Sequence, residues 1–185
     1  GWEVVRVKPD VAGHIDAKKV VAAVDSSTVL VSCMCVNNEV GTILPIGQIV
    51  KGIRRRNPGT LIHCDCVQAL GKMPLSMRRM DLDLATVSAH KIYGPKGSGA
   101  LYVRGGVRVL PRQLGGSQEK KLRPGTEAAA LIVGFGTAAA LAREHLEADA
   151  RRIADLNQEL RCRLLAMPQV VINSPADALP AVLNI

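Results

Sequence analysis

Aromatic residues are nearly missing from this sequence, which has one Trp, two Tyr and one Phe among 185 residues. The core must therefore be built from the aliphatic side chains that supply most of the 48% hydrophobic fraction. The shortage of rings also argues against nucleic-acid binding despite a net charge of +8, because exposed bases stack on aromatic side chains. The basic runs at 54–56 and 78–79 are predicted to be solvated surface, and no nucleic-acid partner is expected.

Long apolar runs are missing too. No run approaches the ~18 residues that a membrane-spanning helix needs, and the beginning of the sequence has no signal-peptide pattern. The five cysteines are an odd number and do not form a disulfide framework in a chain of this size. We therefore expect a soluble, cytoplasmic protein with no membrane partner.

Four of the cysteines form two closely spaced pairs, Cys33/Cys35 and Cys64/Cys66. On strands, residues two apart point to one face, so small buried apolar side chains are the favoured interpretation. A four-thiolate zinc site would need the two strands to be adjacent, and the usual Cys-x2-Cys spacing is absent. No metal site is predicted. Cys162 falls in a predicted helix and is interpreted as a packing residue.

Strand-like and helix-like segments alternate along the chain, which predicts an α/β fold with a mostly parallel sheet and flanking helices. The predicted strands are Trp2–Val7, Thr28–Val36, Leu61–Cys64, Leu84–Ser88 and Gly99–Arg104, with further possible strands at Gln169–Asn173 and Ala181–Ile185. The predicted helices run from a cap at Asp16 to Val24, from Pro45 to Arg56, and from Thr126 to about Met167 with a break near 147–149.

One lysine stands where a predicted strand meets a Gly/Pro-rich loop. This residue, Lys91, follows Asp65 by 26 residues, and both come directly after predicted strands, as does Asn38. Ligands bind at the carboxyl ends of parallel strands. An amine for the aldehyde and a carboxylate for the pyridine nitrogen are the two groups that pyridoxal phosphate needs. Taken singly, each residue would more often be an ordinary turn, cap or solvated side chain.

Four sequence motifs occur together in a characteristic order and spacing. They are Val36-Asn37-Asn38-Glu39-Val40-Gly41, the segment His63 to Lys72, the segment Ser88 to Gly97, and the loop Gly115 to Thr126. With these motifs, nearly all of the chain resembles the central part of a cysteine desulfurase, a NifS-like member of the class V aminotransferase family. The resemblance implies the large-domain fold of fold-type I pyridoxal phosphate enzymes.

The resemblance also assigns roles to individual residues. Lys91 resembles the lysine that binds the cofactor aldehyde and later moves protons between cofactor and substrate. Asp65 resembles the partner of the pyridine nitrogen, and Gln68 the side chain that hydrogen-bonds the 3-hydroxyl oxygen. Ser88 and His90 resemble phosphate ligands, and Asn38 resembles a residue beside the ring. Thr126 resembles a threonine that reaches the phosphate of the cofactor in the neighbouring subunit.

The implied reaction converts L-cysteine to L-alanine and leaves a persulfide on an enzyme cysteine. The sulfur then passes to an acceptor protein, for example in iron–sulfur cluster assembly. The match of Thr126 implies a homodimer. By spacing, the nucleophilic cysteine and the arginine for the substrate carboxylate would fall after Ile185, so we expect a fragment that is inactive alone. Residues 1–147 are expected to belong to the cofactor-binding domain, and residues 148–185 to a connecting helix and the start of a small domain.

Other functions fit the same motifs. A selenocysteine lyase, or another class V aminotransferase-like enzyme, would keep the cofactor and change the substrate. A non-enzyme alternative is a catalytically inactive dimerisation remnant. The residues that would distinguish these functions are the arginine that binds the substrate carboxylate and the nucleophilic cysteine.

Overall fold

The computed structural model describes residues 1–185 and contains one four-stranded sheet. In order across the sheet, the strands are β1 (Leu30–Met34), β2 (Leu61–Asp65), β3 (Leu84–Ser88) and β4 (Gly99–Val103). β1, β2 and β3 run parallel, and β4 is antiparallel to β3. The predicted mostly parallel sheet is therefore confirmed.

Helices precede, connect and follow the strands. They are α1 (Ala17–Ala22), α2 (Ile46–Arg56), α3 (Ala129–Glu144) and α4 (Leu146–Leu165), with 3₁₀ turns at Ala89–Ile92 and Glu119–Lys121. Among them, none combines the length and the apolar composition that crossing a bilayer requires. The helix α1 begins as predicted, because the Asp16 carboxylate accepts a hydrogen bond from the Lys18 backbone N–H at 2.8 Å.

The core lies between the helices α1 and α2 and one face of the sheet. Apolar residues of α2 recur at helical spacing, and Ile46, Ile49, Val50 and Ile53 are all buried. They belong to the same buried cluster as Ile62 and Cys64 on β2. In β1, by contrast, Leu30, Ser32 and Met34 are exposed. We predicted a strand covered on both faces, but within these residues only one face of β1 is packed.

Several predicted boundaries were wrong. Residues 2–7 form no strand, since they pair with no neighbour and an isolated strand leaves its backbone groups without partners. The segments 169–173 and 181–185 also form no strands, although the Asn173 N–H donates to the Asn184 carbonyl at 2.9 Å. The helix expected from Thr126 begins at Ala129, and its break lies at His145. The domain boundary at 147/148 stays a prediction.

The predicted solvated run at 54–56 is wrong for Arg54. Its guanidinium donates to Asp81 at 2.9 Å, to Asp83 at 2.7 Å and to the Thr60 carbonyl at 2.9 Å. Arg104 completes this ion-pair cluster, with contacts to Asp81 at 2.5 Å and to Asp83 at 3.3 Å. Hydrogen bonds from Arg104, and then from Arg54, lower the pKa of Asp81.

The ion-pair cluster lies at the end of β3 away from Lys91. Asp83 immediately precedes the first residue of β3, and Arg104 immediately follows the antiparallel β4. The Asp83 carboxylate also accepts a hydrogen bond from the Ile62 N–H at 2.7 Å. The cluster therefore joins α2, β2, β3 and β4 at that edge of the sheet.

Candidate active site

The candidate site is the edge of the sheet where β1, β2 and β3 end. Asp65 is the last residue of β2, and in the parallel register it is paired with Met34 on β1 and Thr86 on β3. The Cys35 N–H donates to the Asp65 carbonyl at 2.8 Å, which extends this pairing beyond β1. Because parallel strands end at one edge, the polar residues that follow them are held on the same side of the domain.

Lys91 lies in the 3₁₀ turn that directly follows β3. The turn is anchored by the buried side chains of Ala89 and Ile92, and it ends at Tyr93, whose φ of +64° is left-handed. Within this anchored turn, the Lys91 side chain is exposed and has neither a hydrogen bond nor a salt bridge to the protein. A primary amine without a partner on a rigid support can react with an aldehyde.

Ser88 and His90 flank the start of the same turn. The Ser88 hydroxyl and Nδ1 of His90 are 2.7 Å apart, which is hydrogen-bonding distance. Ser88 is half-buried and His90 is exposed. The two side chains thus form one polar pair beside Lys91, where a hydroxyl and an imidazole could both contact an anion.

Asp65 ends β2, and Gln68 lies in the tight turn that follows. One carboxylate oxygen of Asp65 accepts the Val67 N–H at 2.9 Å, which fixes the side chain at the strand end. The Gln68 amide oxygen accepts a hydrogen bond from Lys72 Nζ at 2.8 Å. Burial lowers the pKa of Lys72, and the charge of the neighbouring Lys91 lowers it further. The structure therefore brings Gln68, Lys72 and Lys91 together.

Sequence reasoning missed Lys72 as a site residue. It is the last residue of the motif that begins at His63. The signal that could have found it is its position four residues after Gln68, because residues at i and i+4 meet in a helical turn. In this segment the Leu70 N–H donates to the Cys66 carbonyl at 3.0 Å, which is such a turn.

Asn38 and Thr126 are both exposed, and neither side chain forms a hydrogen bond. The turn after β1 is made instead by Asn37, whose amide oxygen accepts the N–H groups of Glu39 and Val40, both at 2.9 Å. Asn38 is thus left free to contact a ligand. Thr126 does not begin a helix as predicted, because α3 starts three residues later, at Ala129. The roles of both residues stay predictions.

The four paired cysteines lie in and beside the core. Cys33 is paired with Cys64 across β1 and β2, and Cys35, Cys64 and Cys66 are at most 2% exposed. Hydrogen bonding from Cys64, and then from Cys66, lowers the pKa of Cys35. No group of three or more His, Cys, Asp or Glu side chains is arranged to hold a metal ion.

The prediction that the fifth cysteine is a packing residue is wrong. Cys162 is exposed on α4, where its sulfur accepts a hydrogen bond from the Gln158 amide at 3.7 Å. The helix α4 buries none of its residues.

His63, on β2, should make the fold sensitive to acid. Burial lowers its pKa below the ordinary value of 6.5, with partial opposition from the charge of Asp65. Between the lowered pKa and 6.5 the unfolded chain therefore binds more protons, so stability falls as the pH drops through this window. We expect His63→Gln to reduce the loss of unfolding free energy between about pH 8 and about pH 5, measured by urea denaturation.

The exposed His145, at the α3–α4 junction, provides the control for this experiment. His145→Gln should leave the pH dependence of unfolding as it is in the parent chain. An unchanged pH dependence in His63→Gln would show that burial of this imidazole does not control acid stability.

Comparison with known proteins identifies the family. The sequence profile described as Aminotransferase class-V matches residues 1–185. The chain is 46% identical over 163 residues to "Cysteine desulfurase IscS" of Anaeromyxobacter sp. strain K, covering 87% of this chain and 40% of that protein. It is 42% identical over 187 residues to "Cysteine desulfurase 2" of Trichormus variabilis, covering 100% of this chain and 46% of that protein.

Solved structures agree with these relatives. A NifS-like protein superposes with a TM-score of 0.94 at 39% identity, covering 97% of this chain and 49% of the other. The NifS-like protein from Rickettsia africae ESF-5 superposes with a TM-score of 0.87 at 32% identity, covering 94% and 49%. The chain thus belongs to the class V aminotransferase family, and its resemblance to NifS-like cysteine desulfurases is confirmed. It spans about half the length of the relatives it matches.

The residues at the candidate site fit pyridoxal phosphate, the cofactor of this family. Lys91 offers an unpartnered amine. Asp65 offers a carboxylate, one oxygen of which accepts a hydrogen bond from the Val67 N–H. Lys72 can only donate, so it occupies the oxygen end of the Gln68 amide and leaves the N–H₂ end free to donate. In pyridoxal phosphate, the aldehyde is complementary to the Lys91 amine, the pyridinium nitrogen to the Asp65 carboxylate, and the phenolic oxygen to the Gln68 N–H₂.

Proposed function

We propose that this chain carries the cofactor site of a pyridoxal phosphate-dependent cysteine desulfurase, which converts L-cysteine to L-alanine and leaves the sulfur on an enzyme cysteine. The observation that carries the proposal is the unpartnered amine of Lys91, which extends from an anchored turn at the carboxyl end of β3, next to the turn that carries Gln68 and Lys72. Relatives whose printed names include cysteine desulfurase support the choice of reaction.

Each proposed site residue has a distinct task. Bound pyridoxal phosphate would supply an electron sink for the substrate Cα carbanion. Lys91 would hold the cofactor covalently and then, once displaced, accept and return the proton at the substrate Cα. Asp65 would keep the pyridine nitrogen protonated, and the Gln68 N–H₂ would donate to the phenolic oxygen. The phosphate would contact Ser88 and His90, while Asn38 would lie beside the ring.

The sulfur-accepting thiolate needs both exposure and mobility, and none of the five cysteines of this chain combines the two. Cys35, Cys64 and Cys66 are buried, Cys33 is part of the same two strands, and Cys162 lies within the regular helix α4. We therefore do not assign the nucleophile to any of them. Transfer of the sulfur to an acceptor protein, as in iron–sulfur cluster assembly, is part of the proposal.

We also propose a homodimer, in which Thr126 would reach the phosphate of the other subunit's cofactor. Support comes from α3, which follows Thr126 and exposes large apolar side chains: Ile132 is 50% exposed, Val133 68% and Leu141 49%. Burying such a surface is favourable and typical of subunit interfaces. A cytoplasmic location and the division of the chain near residue 147 also stay proposals.

The test of the proposed function is retention of pyridoxal phosphate through Lys91. The protein is mixed with the cofactor, reduced with borohydride to make the amine linkage permanent, and digested for mass spectrometry. We expect the cofactor mass on the peptide that contains Lys91. In Lys91→Ala the label should disappear, and the visible absorbance of bound cofactor should be lost on desalting.

Lys96 is the matched control, because it is an exposed lysine in the same Gly/Pro-rich loop. Lys96→Ala should be labelled like the parent protein. Label spread over several surface lysines, or equal labelling of Lys91→Ala, would contradict the assignment of Lys91 as the cofactor lysine.

A further inference from the structure

Lys72 is a half-buried cation with a single polar partner. Its ammonium group donates to Gln68 Oε1 at 2.8 Å and forms no salt bridge with any carboxylate of the chain. Burying a charge without a counter-ion is costly, and burial and the charge of Lys91 both lower the pKa of Lys72. A chain that only needed to fill this space would be more stable with an apolar side chain, so the position of Lys72 needs another explanation.

The hydrogen bond removes an ambiguity in the Gln68 side chain. A glutamine amide has an acceptor end and a donor end of nearly the same shape, and it can rotate to present either one. An ammonium group can only donate, so it is compatible only with the orientation in which the amide oxygen faces Lys72. The N–H₂ end must then point away from Lys72.

The backbone of the turn fixes the spacing of the two side chains. Lys72 follows Gly71, whose φ of +69° is left-handed, and both the Lys72 and Met73 N–H groups donate to the Ala69 carbonyl, at 3.1 and 3.2 Å. Ala69 itself is fully buried. The turn is therefore rigid, and the donor–acceptor pair does not depend on a mobile loop.

We propose that Lys72 is a positioning residue that orients the Gln68 amide, so that its N–H₂ group donates to the phenolic oxygen of pyridoxal phosphate. This inference rests on the proposed function. It assigns to Lys72 no contact with substrate or cofactor. Lys72 affects cofactor binding through Gln68, by the hydrogen bond from Lys72 Nζ to the Gln68 amide oxygen.

A double-mutant cycle in the intact protein, freed of its cofactor, tests the inference. The dissociation constant of pyridoxal phosphate is measured by absorbance titration for the parent, Lys72→Met, Gln68→Met and the double variant. We expect Lys72→Met to weaken binding roughly tenfold, because one oriented hydrogen bond is lost. In the Gln68→Met background the same change should have almost no effect, since no amide remains to orient. Lys72→Arg, which can also only donate, should restore most of the binding.

A second measurement needs no cofactor. In the cofactor-free protein labelled with ¹⁵N, the side-chain amide signal of Gln68 should shift in Lys72→Met and stay near the parent position in Lys72→Arg. A merely structural role for Lys72 would move many backbone signals instead of this one amide.

The outcomes separate the inference from the proposed function. If the parent protein binds the cofactor but Lys72→Met binds it equally well, or weakens binding equally with and without Gln68, Lys72 does not act through the amide and the inference is overturned alone. If the parent binds no pyridoxal phosphate, the proposed function and the inference fall together.

Discussion

Replacing Asp83 by alanine should lower the free energy of unfolding by roughly 3 kcal/mol, because it removes the buried carboxylate of the ion-pair cluster and leaves Asp81 as the one carboxylate facing two partly buried guanidinium groups. The Asp83 side chain is only 6% exposed and faces both guanidinium groups of the ion-pair cluster, at 2.7 Å from Arg54 and 3.3 Å from Arg104. The variant would also leave the Ile62 N–H without its acceptor, which lies at 2.7 Å in the parent chain. Guanidinium chloride denaturation measures the loss.

A surface ion pair in the same chain provides the control. Asp149 and Arg152 are 3.8 Å apart on α4, and both side chains are more than half exposed. Such pairs contribute about 0–1 kcal/mol, so Asp149→Ala should change the unfolding free energy by less than about 1 kcal/mol. Similar losses for the two variants would mean that Asp83 acts as an ordinary surface carboxylate.

Replacing Gly71 by alanine should destabilise the chain and disturb the turn that holds Lys91. Gly71 has a φ of +69°, and a Cβ there would lie 2.7 Å from Ile92 Cγ2 and 3.0 Å from the Cβ of Ala142. The left-handed backbone and the overpacking together should cost roughly 2–4 kcal/mol. Because Ile92 anchors the turn next to Lys91, pyridoxal phosphate should also bind more weakly. Thermal denaturation and absorbance titration measure the two effects.

Gly136 is the matched control for this substitution. It lies within α3, and a Cβ there would meet nothing within 4 Å. Gly136→Ala should therefore stabilise the chain by up to about 1 kcal/mol, because alanine loses less backbone entropy in a helix. Stabilisation by Gly71→Ala would show that Ile92 moves aside at no cost, and that the close approach of Gly71 to the turn is unimportant.

The residues missed by sequence reasoning share a physical cause. Arg54 belongs to a run of three arginines, and local sequence gives no sign that one of them turns inward. Its two carboxylate partners are 27 and 29 residues away. Lys72 likewise looks like a solvated lysine until the turn after β2 places its ammonium group on an amide oxygen.

The sequence by itself determined the family, the order of the four strands of the sheet, and the lysine, carboxylate and amide proposed to hold the cofactor. These depend on local patterns: apolar runs that end in Asp65 and before Lys91, a capping aspartate at Asp16, and motif spacing. Only the tertiary structure decided which polar side chains meet. The pairing of Lys72 with Gln68, and of Arg54 and Arg104 with Asp83, requires chain segments to be packed in three dimensions. Hydrogen bonds and desolvation depend on distances of a few ångströms, which sequence separation does not specify.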